Sequence, residues 1–143
     1  MRRQEKYSDT STFHYYNANP RNRITGDCVV RAICTAMERP YEEVYEELYQ
    51  FSLKCGYILN DKKCYEKYLA AHGWVKMPQP RKADGTKYTG KEWCEKRQRN
   101  IFFRVIRTIA HIGGHHIVAI IQGQVWDIWD STDGCIGNFW TKL

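Results

Sequence analysis

The chain of 143 residues is long enough to bury a core and too short to divide comfortably into two units, so we predict one domain over residues 1–143. Hydrophobic residues make up 43% and charged residues 27%, which argues against a disordered chain. No run of about 18 apolar residues occurs and the N-terminus is polar, so we predict no membrane span and no secretion segment, and we expect a cytoplasmic protein.

The charge and the cysteines narrow the function classes further. The formal charge is +6, and ten lysines and arginines stand against three acidic residues between Lys76 and Arg107. Such a segment could meet nucleic acid, an acidic protein or a phosphate, although a solvated basic face is the commoner explanation. The six cysteines form no CxxC motif, and a chain without a secretion segment is not expected to hold a disulfide framework. We therefore expect no metal and no cofactor.

The N-terminal half of the chain combines a polar arm with a series of helices. Residues 1–12 are polar and aperiodic and are predicted to be a loose arm, with ordered structure beginning near Pro20. An apolar run opens at Cys28 with the spacing of a buried helix and stops before Pro40. Further helices are predicted from Tyr41 to about Cys55 and from Asp61 to Ala71.

The C-terminal half changes to the pattern of a sheet. The segment Thr89-Gly90-Lys91-Glu92 is typical of a capping box and predicts the start of a short basic helix. After Asn100 come short β-rich runs, which are Ile101 to Ile106, His116 to Ile121, Gln124 to Trp129 and a last strand around Phe139-Trp140. Helices followed by an antiparallel sheet predict an α+β domain with two lobes.

Two residues far apart in the sequence have the properties of a nucleophile and its base. A thiol becomes reactive at a helix N-terminus and beside an imidazolium, and Cys28 has the first of these from its own context. The second requires a distant histidine, for which His116 at the start of a β-rich run is the best-placed candidate, with His115 as the alternative. A metal site formed by His115, His116, Asp127 and Cys28 is the least favoured reading of the same residues.

The carboxylate that orients His116 depends on the hairpin around Gln122-Gly123. Opposed residue numbers in an antiparallel pair have a constant sum, which is 245 for a two-residue loop and 244 or 246 for a three-residue loop. The two-residue loop sets Trp129 against His116, whereas both longer loops put Asp130 and His116 on one face. Because Gln is a poor residue for the left-handed backbone of a tight turn, we favour the longer loop and Asp130, with Asp127 as the alternative.

These motifs resemble those of the papain-like cysteine peptidases. The segment from Asn22 to Cys28 is similar to the nucleophile segment of that superfamily, including the bacteriocin-leader peptidases, which place Asp-Cys at the helix start. The run from His116 to Ile121 resembles the strand that begins with the family's catalytic histidine, and Asp130 stands where the following strand supplies Asn or Asp. The arrangement also resembles small uncharacterised proteins of bacteria and their viruses, so the expected location is a bacterial or host cytoplasm.

The resemblance also implies a fold and a role for one further residue. Papain-like peptidases have a Gln six residues before the nucleophile, and its amide forms the oxyanion hole with the backbone N–H of the Cys. Asn22, with a shorter side chain, stands at that position, so the resemblance implies the same role for it. It also implies a helical N-terminal lobe that starts at the nucleophile helix and a C-terminal lobe built on the sheet.

Together these features predict a cysteine hydrolase that acts on a peptide, isopeptide or side-chain amide bond through Cys28, His116, Asp130 and Asn22. Its partner is then a protein or peptide substrate. The rival hypothesis is a catalytically degenerate papain-like module whose basic segment, residues 76–107, binds nucleic acid or an acidic protein. The replacement of Gln by Asn22 favours that rival.

Overall fold

The computed structural model describes residues 1–142 and confirms the predicted α+β class. The described helices are α1 (Arg3–Lys6), α2 (Cys28–Met37), α3 (Tyr41–Cys55), α4 (Lys62–Ala71), α5 (Gly90–Arg99) and α6 (Ile101–Arg104). The strands are β1 (Phe13–Tyr15), β2 (Val75–Met77), β3 (Thr108–Ile112), β4 (His116–Ile121), β5 (Gln124–Asp127) and β6 (Ile136–Thr141). None of the helices within residues 1–142 combines the length and the apolar character that a membrane crossing requires.

The strands form one mixed sheet in the order β1-β5-β4-β3-β6-β2. β1 runs parallel to β5 and the remaining neighbours are antiparallel, so the prediction of a purely antiparallel sheet is wrong. The parallel pair arises because residues before the first long helix pair with a strand near the C-terminal end of the chain. Three-residue strands such as β1 and β2 carry too little periodicity to be recognised in a sequence.

Helices cover both faces of the sheet. α2 packs mainly against β4, and its buried side chains share one core with Ile117, Ala119 and Ile121. The intervening residues Val118 and Ile120 face a second core, to which α5 contributes Trp93 and Cys94. Because β4 is buried on both faces, it reads as an uninterrupted apolar run in the sequence.

The N-terminal segment is bound to the sheet and is not a loose arm. Phe13 is completely buried, and the backbone N–H of Val125 donates to the carbonyl of Thr12 at 2.9 Å. The guanidinium of Arg3 donates to the carbonyl of Ile128 at 2.6 Å. Ordered structure therefore begins well before Pro20, contrary to the prediction.

The β-rich run from Ile101 to Ile106 forms the short helix α6 and a turn, and strand β3 begins only at Thr108. The side chain of Asn100 accepts from the backbone N–H of Phe102 at 3.0 Å, which satisfies a donor that a strand would have paired with a neighbour. The apolar side chains of this helix are largely exposed, so burial did not select a strand here.

The hairpin between β4 and β5 has a two-residue loop, and the expectation of a longer loop is wrong. Gln122 and Gly123 both have positive φ angles, 51° and 73°, as a tight primed turn requires. The pairs Ile121–Gln124, Ile120–Val125 and Ala119–Trp126 fix the register. This register decides which carboxylate reaches His116.

Candidate active site

Cys28 is the first residue of α2, and its thiol is half-buried. Asp27 precedes it as the N-cap residue, but its side chain forms no capping hydrogen bond, so no side chain covers the first backbone N–H groups of the helix. Backbone N–H groups without a side-chain cap and the positive end of the helix dipole therefore lie at the end of the helix that carries the thiol. Such a helix end can stabilise an oxyanion bound next to the sulfur.

The Asp27 side chain turns away from the helix end and holds the nucleophile turn in place. It accepts hydrogen bonds from Arg31 Nε at 2.8 Å, the Tyr41 hydroxyl at 2.8 Å and Asn19 Nδ2 at 3.1 Å. Burial alone would raise the pKa of Asp27, but these hydrogen bonds outweigh it and lower the pKa. Asp27 therefore stays ionised directly before Cys28.

His116 lies between the Cys28 thiol and a buried carboxylate. Its Nε2 is 2.5 Å from Oδ2 of Asp127, which leaves Nδ1 on the other side of the ring, and Cys28 acts on the same imidazole. Burial would lower the pKa of His116, but the hydrogen bond to Asp127 and the contact with Cys28 outweigh it and raise the pKa to about 9. The ring of Trp129, whose centroid is 4.9 Å from that of the imidazole, covers His116.

Arg31 connects the two carboxylates behind the nucleophile. Its guanidinium donates to Oδ1 of Asp127 as well as to Asp27, and its side chain is buried. The backbone N–H of Ile128 donates to the same oxygen of Asp127 at 2.7 Å. A continuous chain of contacts thus runs from Cys28 through His116, Asp127 and Arg31 to Asp27, the residue next to Cys28.

The structure brings Cys28 and His116 together but leaves the two favoured partners elsewhere. Asp130 accepts from the backbone N–H and the hydroxyl of Thr132, at 2.9 Å and 2.6 Å, within a turn. The predicted pairing of Asp130 with His116 is thus corrected to Asp127, because the two-residue hairpin shifts β5 by one position. In this register Asp127 is the diagonal neighbour of His116 across the strand pair. His115 is exposed.

Asn22 is exposed and has a left-handed backbone with φ of 53°. Its side-chain oxygen accepts from Asn17 Nδ2 at 3.3 Å, so its described contact lies within its own loop and not at the thiol. Sequence reasoning also missed Arg31. The available signal was a charged residue inside the otherwise apolar run that follows Cys28, four positions after Asp27.

A second histidine near the site, His111, has a lowered pKa, whereas that of His116 is raised. The Tyr65 hydroxyl bonds to Nε2 of His111, and both side chains pack beside Trp140. Burial, with a smaller effect from the nearby Lys62, lowers the pKa of His111 to about 4. His111 is therefore neutral, because its hydrogen-bond partner among the described residues is a hydroxyl, and the nearby Glu66 does not outweigh burial.

A groove of about 630 Å³ begins at the turn that precedes Cys28. One wall contains Thr25, Gly26 and Asp27, and the opposite wall is formed by α3 and the loop after it. Tyrosines and aliphatic side chains line it: Tyr41, Tyr45, Tyr49, Tyr57, Ile58 and Leu59. Its size is sufficient for one or two amino-acid side chains on the Asp27 side of Cys28, which itself does not line the groove.

The described residues contain no group of three His, Cys, Asp or Glu side chains that could hold a metal ion. In the basic segment, Arg97 is buried and Lys76, Lys82 and Arg107 form ion pairs with glutamates. Lys96 and Arg99 are exposed. Comparisons of the chain with protein-family models, with curated proteins and with solved structures found no match.

Proposed function

We propose that the chain is a papain-like cysteine hydrolase that cleaves a peptide, isopeptide or side-chain amide bond through an acyl-enzyme on Cys28. The observation that carries this proposal is the contact of Cys28 with His116, whose other ring nitrogen is bonded to the buried Asp127. A thiol at a helix start, an imidazole beside it and a carboxylate behind the imidazole are the three parts of a nucleophile–base–orienter site.

The raised pKa of His116 favours the protonated imidazole at neutral pH, so the ring can hold the proton while Cys28 acts as the nucleophile. The thiolate attacks the carbonyl carbon, and the uncapped backbone N–H groups at the start of α2 stabilise the oxyanion. His116 then donates its proton to the leaving amine, and the C–N bond breaks.

Hydrolysis of the thioester reverses the proton transfers. Water enters as the amine leaves, the now neutral His116 takes a proton from it, and the resulting hydroxide attacks the acyl carbon. The carboxylic acid leaves, and Cys28 and His116 return to the thiolate and imidazolium. Asp127 holds the imidazole in place throughout, because Arg31 and the N–H of Ile128 bind its other oxygen.

The experiment that tests the proposal is alkylation by limiting iodoacetamide at pH 6, followed by intact-mass and peptide analysis. An ordinary thiol near pKa 8.5 is almost unreactive there. Cys135 is an internal control, because it is exposed whereas Cys28 is half-buried. We expect rapid single labelling at Cys28 that is lost in His116→Ala. Labelling of Cys135 ahead of Cys28, or the same Cys28 rate in His116→Ala, would contradict the proposal.

Turnover is the second part of that test. Fluorogenic peptides and glutamine- or asparagine-containing peptides distinguish a peptidase from a deamidase, and Cys28→Ala, with its circular dichroism unchanged, must lose any activity found.

The binding-module alternative has one supporting observation. Lys96, Arg99 and Arg104 are exposed and form no ion pair with the residues that the structure describes. This alternative predicts nucleic-acid binding that weakens steeply with salt and falls when Lys96 and Arg99 are changed to Gln. Arg97 is unsuited to such a surface because it is buried. Absence of binding at low salt would remove this alternative.

A further inference from the structure

Arg97 is a buried cation for which residues 1–142 supply no counterion. It projects from α5, only 8% of it is exposed, and its Nε has no hydrogen-bond partner. Its guanidinium lies over three aromatic rings, with centroid distances of 4.6 Å to Trp93, 5.2 Å to Phe103 and 5.7 Å to Phe139. Such a group is costly to bury, because the charge loses its hydration.

The aromatic rings offset part of this cost but leave the donors of Arg97 unused. Ring faces attract a cation, yet they accept an N–H hydrogen bond only weakly. Burial lowers the pKa of Arg97, and the only other group that acts on it is the Cys94 thiol, so no carboxylate of the described chain compensates the charge. Buried guanidinium groups ordinarily have an acidic partner.

Arg97 forms part of the wall of a separate cavity. The cavity has a volume of about 380 Å³ and lies between the edge strand β2 and α5. Val75 and Met77 supply one side, Trp93 and Phe139 the floor, and Phe103 of α6 stands at the rim. Apart from Arg97, Lys96 and Thr141, the lining is apolar, and none of the three proposed catalytic residues belongs to it.

We infer that this cavity is a binding site for a hydrophobic carboxylate, whose apolar body fills the cavity and whose carboxylate pairs with Arg97. One buried guanidinium balances one negative charge, which favours a carboxylate over a phosphate dianion. Lys96 adds less to the charge inside, because its side chain is exposed to water and its ammonium is held at the Tyr88 hydroxyl at 3.0 Å. The carboxylate belongs either to a free aliphatic acid or to the C-terminus of a peptide that ends in an apolar residue.

The test compares each acid with its neutral amide. Decanoate and decanamide represent the free acid, and a short peptide ending in Phe, with a free or an amidated C-terminus, represents the peptide. Binding to the full chain is followed by NMR shifts of the Trp93 indole and by calorimetry. We expect at least one acid to bind at least tenfold more tightly than its amide, and the pair that shows this identifies the source.

Two variants locate the effect. Arg97→Met keeps the volume of the side chain but removes the charge, so it abolishes the preference for the acid, whereas Arg99→Met, on the exposed part of the same helix, preserves it. Val75→Trp fills the cavity from its rim and weakens acid and amide alike. The inference is overturned if no probe binds at millimolar concentration, if acids and amides bind equally, or if Arg97→Met keeps the preference.

Discussion

Arg31 and Arg97 lie equally deep in the molecule, at 6% and 8% exposure, and have opposite surroundings. Arg31 bonds to Asp27 and Asp127, which raise its pKa against the effect of burial. Among the described residues Arg97 contacts aromatic rings and no carboxylate, and burial lowers its pKa. The role of a buried charge therefore depends on its partners: Arg31 holds two internal carboxylates in place, whereas Arg97 is the basis of the carboxylate site inferred above.

The largest effect is expected from Arg31→Met. This change leaves two buried carboxylates without their shared cation, so the free energy of unfolding falls by about 3–5 kcal/mol. Urea denaturation followed by circular dichroism measures it. A loss below about 1 kcal/mol would contradict this expectation, because the paired arginine would then contribute as little to stability as an unpaired one.

The pH dependence of stability gives the next largest effect. The pKa of His116 is raised to about 9 in the folded chain, above the ordinary 6.5 of an unfolded one. Its contribution is therefore fully present below pH 6.5 and is lost as the pH rises to 9, and it amounts to about 3 kcal/mol. The stability of the wild type should fall relative to His116→Gln across this window. Parallel curves for the two proteins would contradict the raised pKa.

Asp127→Asn tests whether Asp127, the carboxylate that Arg31 binds, is the partner of His116. Among the groups that raise the pKa of His116, the hydrogen bond to Asp127 has the largest effect, so its loss should lower that pKa toward the ordinary value. NMR titration of the imidazole measures the shift. Asp130→Asn is the matched control and should leave the pKa unchanged, because Asp130 bonds to Thr132. A larger shift in Asp130→Asn would restore the pairing that the hairpin prediction favoured.

The smallest effect is expected from Arg97→Met, the same substitution at the unpaired arginine. Methionine fills a similar volume and removes a charge that no carboxylate compensates, so stability should remain within about 1 kcal/mol of the wild type or rise. The same denaturation experiment as for Arg31→Met measures it. A loss equal to that of Arg31→Met would show that the stacking on Trp93 is itself a major stabilising contact.

The elements that the sequence predicts correctly are those with strong local signals. The helices α2, α3 and α4 follow from apolar periodicity, and the capping box of Thr89 and Glu92 begins α5 as predicted. One failure depends on distant pairing, because β1 exists only where Phe13 reaches β5. The other is local: Asn100 caps α6 from the position directly before it, and this cap outweighs the β propensity of the run from Ile101.

The candidate site divides in the same way. Cys28 and His116 were recognised from a helix start and a strand start, which are local features. The sequence favours Asp130 over Asp127 because Gln rarely takes the left-handed backbone that Gln122 adopts, and this one residue sets the register of the hairpin. Arg31 lies inside an otherwise apolar helix, and that pattern predicts core packing rather than a residue of the site.

The first strand has a consequence for handling the protein. β1 pairs Tyr15 with Asp127, and the backbone N–H of Tyr16 donates to the Asp127 carbonyl at 2.9 Å. The outer edge of the strand that presents this carboxylate is therefore closed by the first residues of the chain. Truncation beyond Phe13 would expose that edge and leave Asp127 less firmly held. A preparation with heterogeneous N-termini would then contain molecules with normal helix content in which Cys28 is alkylated more slowly.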